Sequence, residues 1–269
     1  MKKKNFELNI TTRKPSNINK INNLTYRSYQ FDNNKFDESL KEKLKDSNYI
    51  LVSIPPINNR DIVIGNFDTV LKKIKKCKWI TYLSATSVYG DHNGDWVNEN
   101  SETKPSSPNG IQRLNAEKTW KNFSKKSNLP LQIFRLAGIY SNEYNILKRL
   151  KSGSVQIVDK KDHFFSRVHV DDISNILFKS FKKFKKNEIY NICDDKPASQ
   201  QEVASYGSKL LKIKEPKTVN INEIESSMLR NFYKDSKKVN NKKMKSFFDY
   251  EMKFSTYVEG LDNIFNKSI

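Results

Sequence analysis

Hydroxyl, phenol and guanidinium groups fall at the ends of apolar runs in this 269-residue sequence. Thr86, Ser87 and Tyr89 follow the run 79–83 (WITYL), and Ser53, Pro55 and Pro56 close the run 49–54 (YILVSI). Open α/β sheets bind ligands at the carboxyl ends of their strands. Hydroxyls placed there can donate or accept hydrogen bonds, and a phenol can act as acid or base. Arg113 lies near the start of a helical stretch, where a guanidinium can hold a phosphate or carboxylate bidentately. Thr12 and Arg13 end another strand-like run. His169 beside Asp171 and Asp172 has the residue types of a metal or acid–base cluster. Acids in a first helical turn also complement the helix dipole, and that structural reading is the one adopted.

The elements that would carry these groups alternate between strand and helix patterns, which argues for βαβ units and a parallel sheet. Strands are expected at 6–12, 24–31, 49–54, 79–83, 131–137 and 188–192. The run 49–54 is continuously apolar, the pattern of a strand buried on both faces. Helices are expected at 36–44, 62–74, 111–126, 145–151, 169–182, 199–211 and 257–265. Between the runs at 79–83 and 111–126 lies a long Asn/Ser/Gly/Pro-rich stretch, 84–109. Loops of that length are usually functional. Beyond Lys212 the pattern weakens into Lys/Asn-rich sequence.

Composition narrows the partners. Lys and Arg number 49 against 30 Asp and Glu, a formal charge of +19. Only eight of these cations are Arg, and the lysines spread along the whole chain with no element concentrating Arg and aromatics. No nucleic-acid partner is expected from that pattern. Two cysteines, Cys77 and Cys193, exclude a disulfide framework or a cysteine-rich zinc site and fit a reducing, cytoplasmic setting. The start MKKKNFELNI lacks the apolar core of a signal peptide, and no run approaches the ~20 apolar residues of a membrane span. No membrane partner is expected either.

Four stretches, in order, carry a family resemblance: 82–94 (YLSATSVYGDHNG), 131–140 (LQIFRLAGIY), 165–172 (FSRVHVDD) and 188–195 (EIYNICDD) with the helix after it. Together they resemble the extended short-chain dehydrogenase/reductases, the nucleotide-sugar epimerase/dehydratase superfamily. The nearest subgroup is the atypical members related to bacterial nucleoside-diphosphate-sugar epimerases. The resemblance implies a Rossmann-like, doubly wound parallel α/β sheet over 1–136. A smaller substrate lobe over 137–269 would send pieces back to that sheet. It further implies NADP or NAD as cofactor and a small, anionic substrate such as a sugar nucleotide. Thr12 and Arg13 would meet the adenosine ribose, with Arg13 favouring a 2′-phosphate, and Ser53 and Pro55 would pass beneath the cofactor.

Two departures set this chain apart from the pattern. The family's glycine-rich loop, whose backbone amides hold the pyrophosphate, has no counterpart, since the first glycine is Gly65. The run at 6–12 resembles the family's second strand, so the first strand is missing from the sequence as given. Two arrangements are open: the protein starts upstream of Met1, or the run at 6–12 pairs directly with the run at 49–54. The second departure is in the catalytic triad. Ala85 stands where the family has Ser or Thr, and the LNAE register places Asn109 and Arg113 at the Tyr and Lys of YxxxK. Thr86, Tyr89 and Arg113 then remain as the catalytic candidates. The first reading is an NAD(P)-dependent epimerase, dehydratase or reductase; the alternative is a non-catalytic nucleotide-binding or regulatory relative. Lacking the phosphate-cradling loop, the 269-residue chain should show no micromolar binding of NADPH or NADH by isothermal titration calorimetry, and micromolar binding would overturn this reading.

Overall fold

The computed structural model describes residues 7–15, 19–21, 24–158, 160, 162–226, 229–230 and 233–267. Its first strand, β1 (Leu8–Thr12), runs parallel to β3 (Leu24–Asp32), with Leu8 opposite Tyr26. Phe6, expected in that first strand, lies outside the described residues. The short strands β2 (Asn19–Ile21) and β4 (Lys35–Phe36) flank β3 antiparallel. Helix α1 (Ser39–Asp46) then leads to β5 (Tyr49–Val52) and α2 (Ile62–Leu71). β6 (Trp79–Ala85) ends in a 3₁₀ turn, Thr86–Tyr89.

The expected long loop is partly structured. It holds β7 (Trp96–Val97) before α3 (Pro108–Ser127). β8 (Leu131–Leu136) runs on into β9 (Gly138–Tyr140), followed by α4 (Ile146–Lys151) and β10 (Ile157–Val158). β11 (Arg167–His169) pairs with β9 and feeds α5 (Val170–Ser180). β12 (Glu188–Ile192), α6 (Gln200–Leu211), β13 (Thr218–Val219), β14 (Lys238–Val239), α7 (Lys242–Phe248) and α8 (Tyr257–Lys267) complete the order. β14 pairs with β7, so the sparse carboxyl-terminal sequence pins the stretch 84–109. Asp91 reinforces that link by accepting from the Ser236 amide at 2.7 Å.

The parallel sheet is in two parts. β5, β6, β8 and β12 lie side by side in one parallel sheet, with Tyr49 opposite Trp79, Ile80 opposite Leu131 and Gln132 opposite Glu188. Among the described residues β1 pairs only with β3, and β5 only with β6. Direct pairing of the first strand with the run at 49–54 is therefore not the arrangement adopted. Side chains join the two parts instead. Phe31 of β3 and Ile50 and Val52 of β5 share one core with Phe67 of α2, whose ring lies 5.3 Å from that of Phe31. Leu8 of β1 and Leu51 of β5 are 38% and 47% exposed, unusual for apolar residues in interior parallel strands.

The acidic pair at 171–172 behaves as a helix start. His169 Nδ1 caps α5 by accepting from the Asp171 amide at 3.1 Å. The fully buried Asp172 carboxylate accepts from Tyr250 Oη and the Lys253 amide, both at 2.7 Å, and from the Phe254 amide at 3.2 Å. It thereby fastens the segment that leads into α8. Among the described residues no group of three His, Cys, Asp or Glu could hold a metal ion.

Candidate functional site

Strand β6 brings Thr86 and Tyr89 to its carboxyl end, and α3 brings Arg113 against the same strand. The turn Thr86–Tyr89 closes on Gly90, whose φ of +71° and close approach to the Lys104 carbonyl admit no side chain. α3 then begins against this turn. A Cβ on Gly110 would lie 2.7 Å from the Ser87 carbonyl, so the small residue there lets helix and turn touch. Ser107 caps α3 by accepting from the Gly110 amide, and Asn109 stands exposed in the first turn.

Within that frame the three candidates do different things. Thr86 is half-buried at the mouth of the turn. Tyr89 is fully buried, and its hydroxyl donates to Asn191 Oδ1 at 2.7 Å. Burial pushes its phenol up to about 12, which keeps the proton on. Arg113 donates to the Leu83 carbonyl at 3.0 Å and to Tyr82 Oη at 3.4 Å, so its guanidinium is anchored on β6. Burial likewise raises Tyr82 to about 12. Asp61 lies close by and caps α2 by accepting from the Val63 and Ile64 amides, while Trp120 Nε1 donates to it at 2.7 Å. Burial, the largest influence on the Asp61 carboxyl, raises it above its ordinary value.

Beneath these groups lies a buried network that the reading of single residues passed over. Arg135 Nε and Nη2 donate to the two oxygens of Glu117 at 3.0 and 2.8 Å. Ser84 Oγ donates to Glu117 Oε1 at 2.6 Å, and the Arg135 guanidinium sits 4.8 Å from the centre of the Tyr89 ring. Both charged side chains are almost wholly buried. A signal was present in the sequence. Arg135 interrupts the apolar run LQIFRLA and Glu117 falls on a helix face with Ala116 and Trp120, and buried charges must find partners.

On the lobe side, a cavity of about 300 Å³ opens next to β9. Its lining includes Gly138, Tyr144, Arg149, Phe165, Arg167 and Gln200. Arg167 stacks 4.3 Å from the Phe165 ring centre and donates to the Ala198 carbonyl at 2.9 Å. Burial lowers the guanidinium to about 10, so it stays charged at neutral pH. Asp194 is buried, and burial pushes its carboxyl well above the usual range against the pull of the Arg167 guanidinium and of the Lys196 and Arg167 amides.

The cofactor-binding candidates end the first strands. Thr12 closes β1, and its hydroxyl accepts from the Lys14 amide at 3.4 Å. Arg13 is exposed, with Nε 3.8 Å from Asp32 at the end of β3. Ser53 and Pro55 are exposed just past β5. A dinucleotide's pyrophosphate needs free backbone amides at a glycine-rich helix start. The helix after β5 already has its amides filled by Asp61, α3 is capped by Ser107, and Gly65 sits inside α2 rather than in a loop. The described residues therefore do not form a pyrophosphate cradle, and no chemical step is derived through a nicotinamide.

Comparison with known proteins agrees with this architecture. Residues 62–193 match the NAD dependent epimerase/dehydratase family, in line with the resemblance to the extended short-chain dehydrogenase/reductases. No curated protein matches the sequence. Among solved structures, a functionally unknown conserved protein from Silicibacter pomeroyi DSS is 29% identical, with a TM-score of 0.80 over 90% of this chain and 83% of that one. The UDP-glucose 4-epimerase of Thermotoga maritima, solved with UDP-glucose, is 18% identical, with a TM-score of 0.77 over 98% and 92%. The UDP-glucuronic acid 4-epimerase of Bacillus cereus, solved with NAD, is also 18% identical, with a TM-score of 0.72 over 90% and 81%.

The buried ion pair gives a direct test of what holds the site together. Removing one partner of such a pair leaves the other charge stranded and costs about 3–5 kcal/mol. Glu117→Ala should therefore lower stability to urea by that amount. The double change Glu117→Ala with Arg135→Met should recover much of it, because neither charge of the pair is then left stranded.

Proposed function

We propose that the chain is an epimerase/dehydratase-type protein that binds a sugar nucleotide or a related anionic metabolite, with chemistry that does not run through a tyrosine general acid. The observation that carries this reading is the replacement of the triad positions by Ala85, Asn109 and Arg113 on an otherwise intact β6–turn–α3 frame. Alanine has no hydroxyl and asparagine no titratable proton. Tyr89, the one phenol of the turn, is committed to Asn191 and lies under Arg135. Losing a positioned acid or base typically lowers rate by ~10²–10⁴.

Substrate binding is assigned to the cavity beside β9, which continues β8 past the carboxyl edge of the sheet. Arg149 and Arg167 supply positive charge there, and Tyr144 and Phe165 supply ring faces. The neighbours solved with UDP-sugars support a sugar nucleotide as the ligand class. A nicotinamide cofactor would supply hydride chemistry to such a fold, and the superfamily supports that class of cofactor. Thr12, Arg13, Ser53 and Pro55 would meet its adenosine end, whereas the pyrophosphate lacks its cradle. Thr86 is the remaining hydroxyl donor at the mouth of the turn.

A second reading, a binding or regulatory member without turnover, is favoured by Arg113. Its guanidinium is spent on the Leu83 carbonyl and Tyr82, where a catalytic lysine would instead lower the pKa of a tyrosine. Calorimetry with UDP-glucuronic acid separates the cases. Arg167→Ala should weaken binding about tenfold or more, the loss of a charged hydrogen bond, and Tyr89→Phe should leave any turnover and its pH profile unchanged. Robust turnover abolished by Tyr89→Phe would defeat the proposal, and turnover absent at saturating ligand would select the second reading.

A further inference from the structure

The fold gathers lysines that the sequence scatters. In a parallel sheet each helix-to-strand connection returns to the amino-terminal edge of the strands, opposite the carboxyl edge where ligands bind. In this chain those connections are 72–78 (KKIKKCK), 125–130 (KKSNLP) and 182–187 (KKFKKN), which hold eleven lysines, no arginine and no carboxylate. They are neighbours in space. The Lys78 amide donates to the Asn48 carbonyl at 2.6 Å, the Ile80 amide to Pro130 at 2.6 Å and the Asn187 amide to Leu131 at 2.6 Å. Lys186 Nζ also donates to Asn128 Oδ1 at 2.5 Å. One continuous rim therefore runs from the start of β5 to the start of β12.

Most of this charge has no local acid. Lys76 pairs with Asp46 at 3.2 Å, Lys72 with Asp68 at 2.9 Å and Lys185 with Glu188 at 2.6 Å. Lysines 73, 75, 78, 125, 126, 182 and 183 are exposed and take part in none of these pairs. The helix dipole accounts for the lysines in a last turn, but its effect fades beyond it. Lys75, Lys78 and Lys183 lie past the ends of α2 and α5.

Aromatic side chains stand on the same rim. Phe181 packs at 5.1 Å on Trp79 and 4.8 Å on Tyr49, the first residues of β6 and β5. It remains 40% exposed, and Phe178, 6.3 Å from it, is 59% exposed. Lys182 Nζ sits 5.4 Å from the centre of the Phe178 ring.

We propose that this amino-terminal rim docks the protein on an anionic lipid bilayer. Lysine clusters bind anionic headgroups as point charges and need no fixed geometry. Exposed phenyl rings with no polar tip enter the headgroup boundary, where they are removed from water. Nucleic-acid recognition draws on arginine forks for bases and phosphates, and the three connections contain none. They are also short, so the rim presents a low edge to a planar surface. Docked this way, the carboxyl edge with Thr86 and the β9 cavity faces away from the lipid and stays open to solution. This surface is independent of the function proposed for the cavity.

Co-sedimentation of the full chain with vesicles tests the assignment. Binding is expected to vesicles of phosphatidylcholine with phosphatidylglycerol and not to phosphatidylcholine alone, and it should fall as salt is raised. Combining K75Q, K76Q, K182Q and K183Q should weaken binding by about fivefold per lysine, and F178S should weaken it roughly tenfold at unchanged charge. The control set K148Q, K151Q, K212Q and K214Q, on the lobe, should have a much smaller effect. Unchanged thermal melting shows that each variant is folded. Three results would overturn the proposal: no binding to anionic vesicles, equal weakening by the control set, or capture by RNA or DNA through the rim lysines while vesicles are ignored.

Discussion

Two strand edges that do not meet govern this molecule. A strand inside a parallel sheet hydrogen-bonds to neighbours on both sides, and backbone groups left without partners are costly when buried. Among the described residues, β1 bonds only to β3, and β5 only to β6. What binds the two parts is side-chain packing: the Phe31, Phe36 and Phe67 rings, α1 against α2, and Asn66 Nδ2 reaching the Asn33 carbonyl at 3.0 Å. In a doubly wound sheet the crevice between the two halves receives the dinucleotide, and the described residues form neither a sheet continuous across it nor a glycine-rich cradle.

The rest of the sheet is held more firmly than the triad residues alone would suggest. Glu117, Arg135, Ser84, Tyr89 and Asn191 link β6, the turn, α3, β8 and β12 through buried contacts. These contacts fix the frame of the turn, with Arg135 Nη1 the group that gains no hydrogen bond. A frame kept rigid by buried charge can still position a ligand. Whether it also transforms one depends on groups at its mouth, among them the half-buried hydroxyl of Thr86.

Much of this was legible in the sequence, for identifiable reasons. Continuous apolar runs gave β5, β6 and β8 within a few residues, and Glu188–Ile192 matched its expected limits, because buried parallel strands leave little room for other residue types. The four family stretches fixed β6, β8, α5 and β12 in order. β7, β9, β11, β13 and β14 escaped because strands of two or three residues have no periodicity to read; α7 escaped because its lysines mask its buried Met244 and Phe248. At the site, residue type settled what Ala85 and Asn109 lack, but not where Arg113 points. Its anchoring on the Leu83 carbonyl depends on how close α3 packs to β6, a distance set by Gly110 and not by spacing.

Hydrogen exchange along the two facing strands tests the divided sheet most directly. Among the described residues, about every second amide in Leu8–Thr12 and Tyr49–Val52 points away from its one paired neighbour and has no backbone acceptor there, whereas Ile80–Tyr82 is paired on both sides. The break-facing amides should exchange as fast as exposed loops, with or without NADPH, while the amides of Ile80–Leu83 stay protected. Protection of Leu8–Thr12 and Tyr49–Val52 equal to that of Ile80–Leu83 would contradict it, as would protection that appears on adding NADPH.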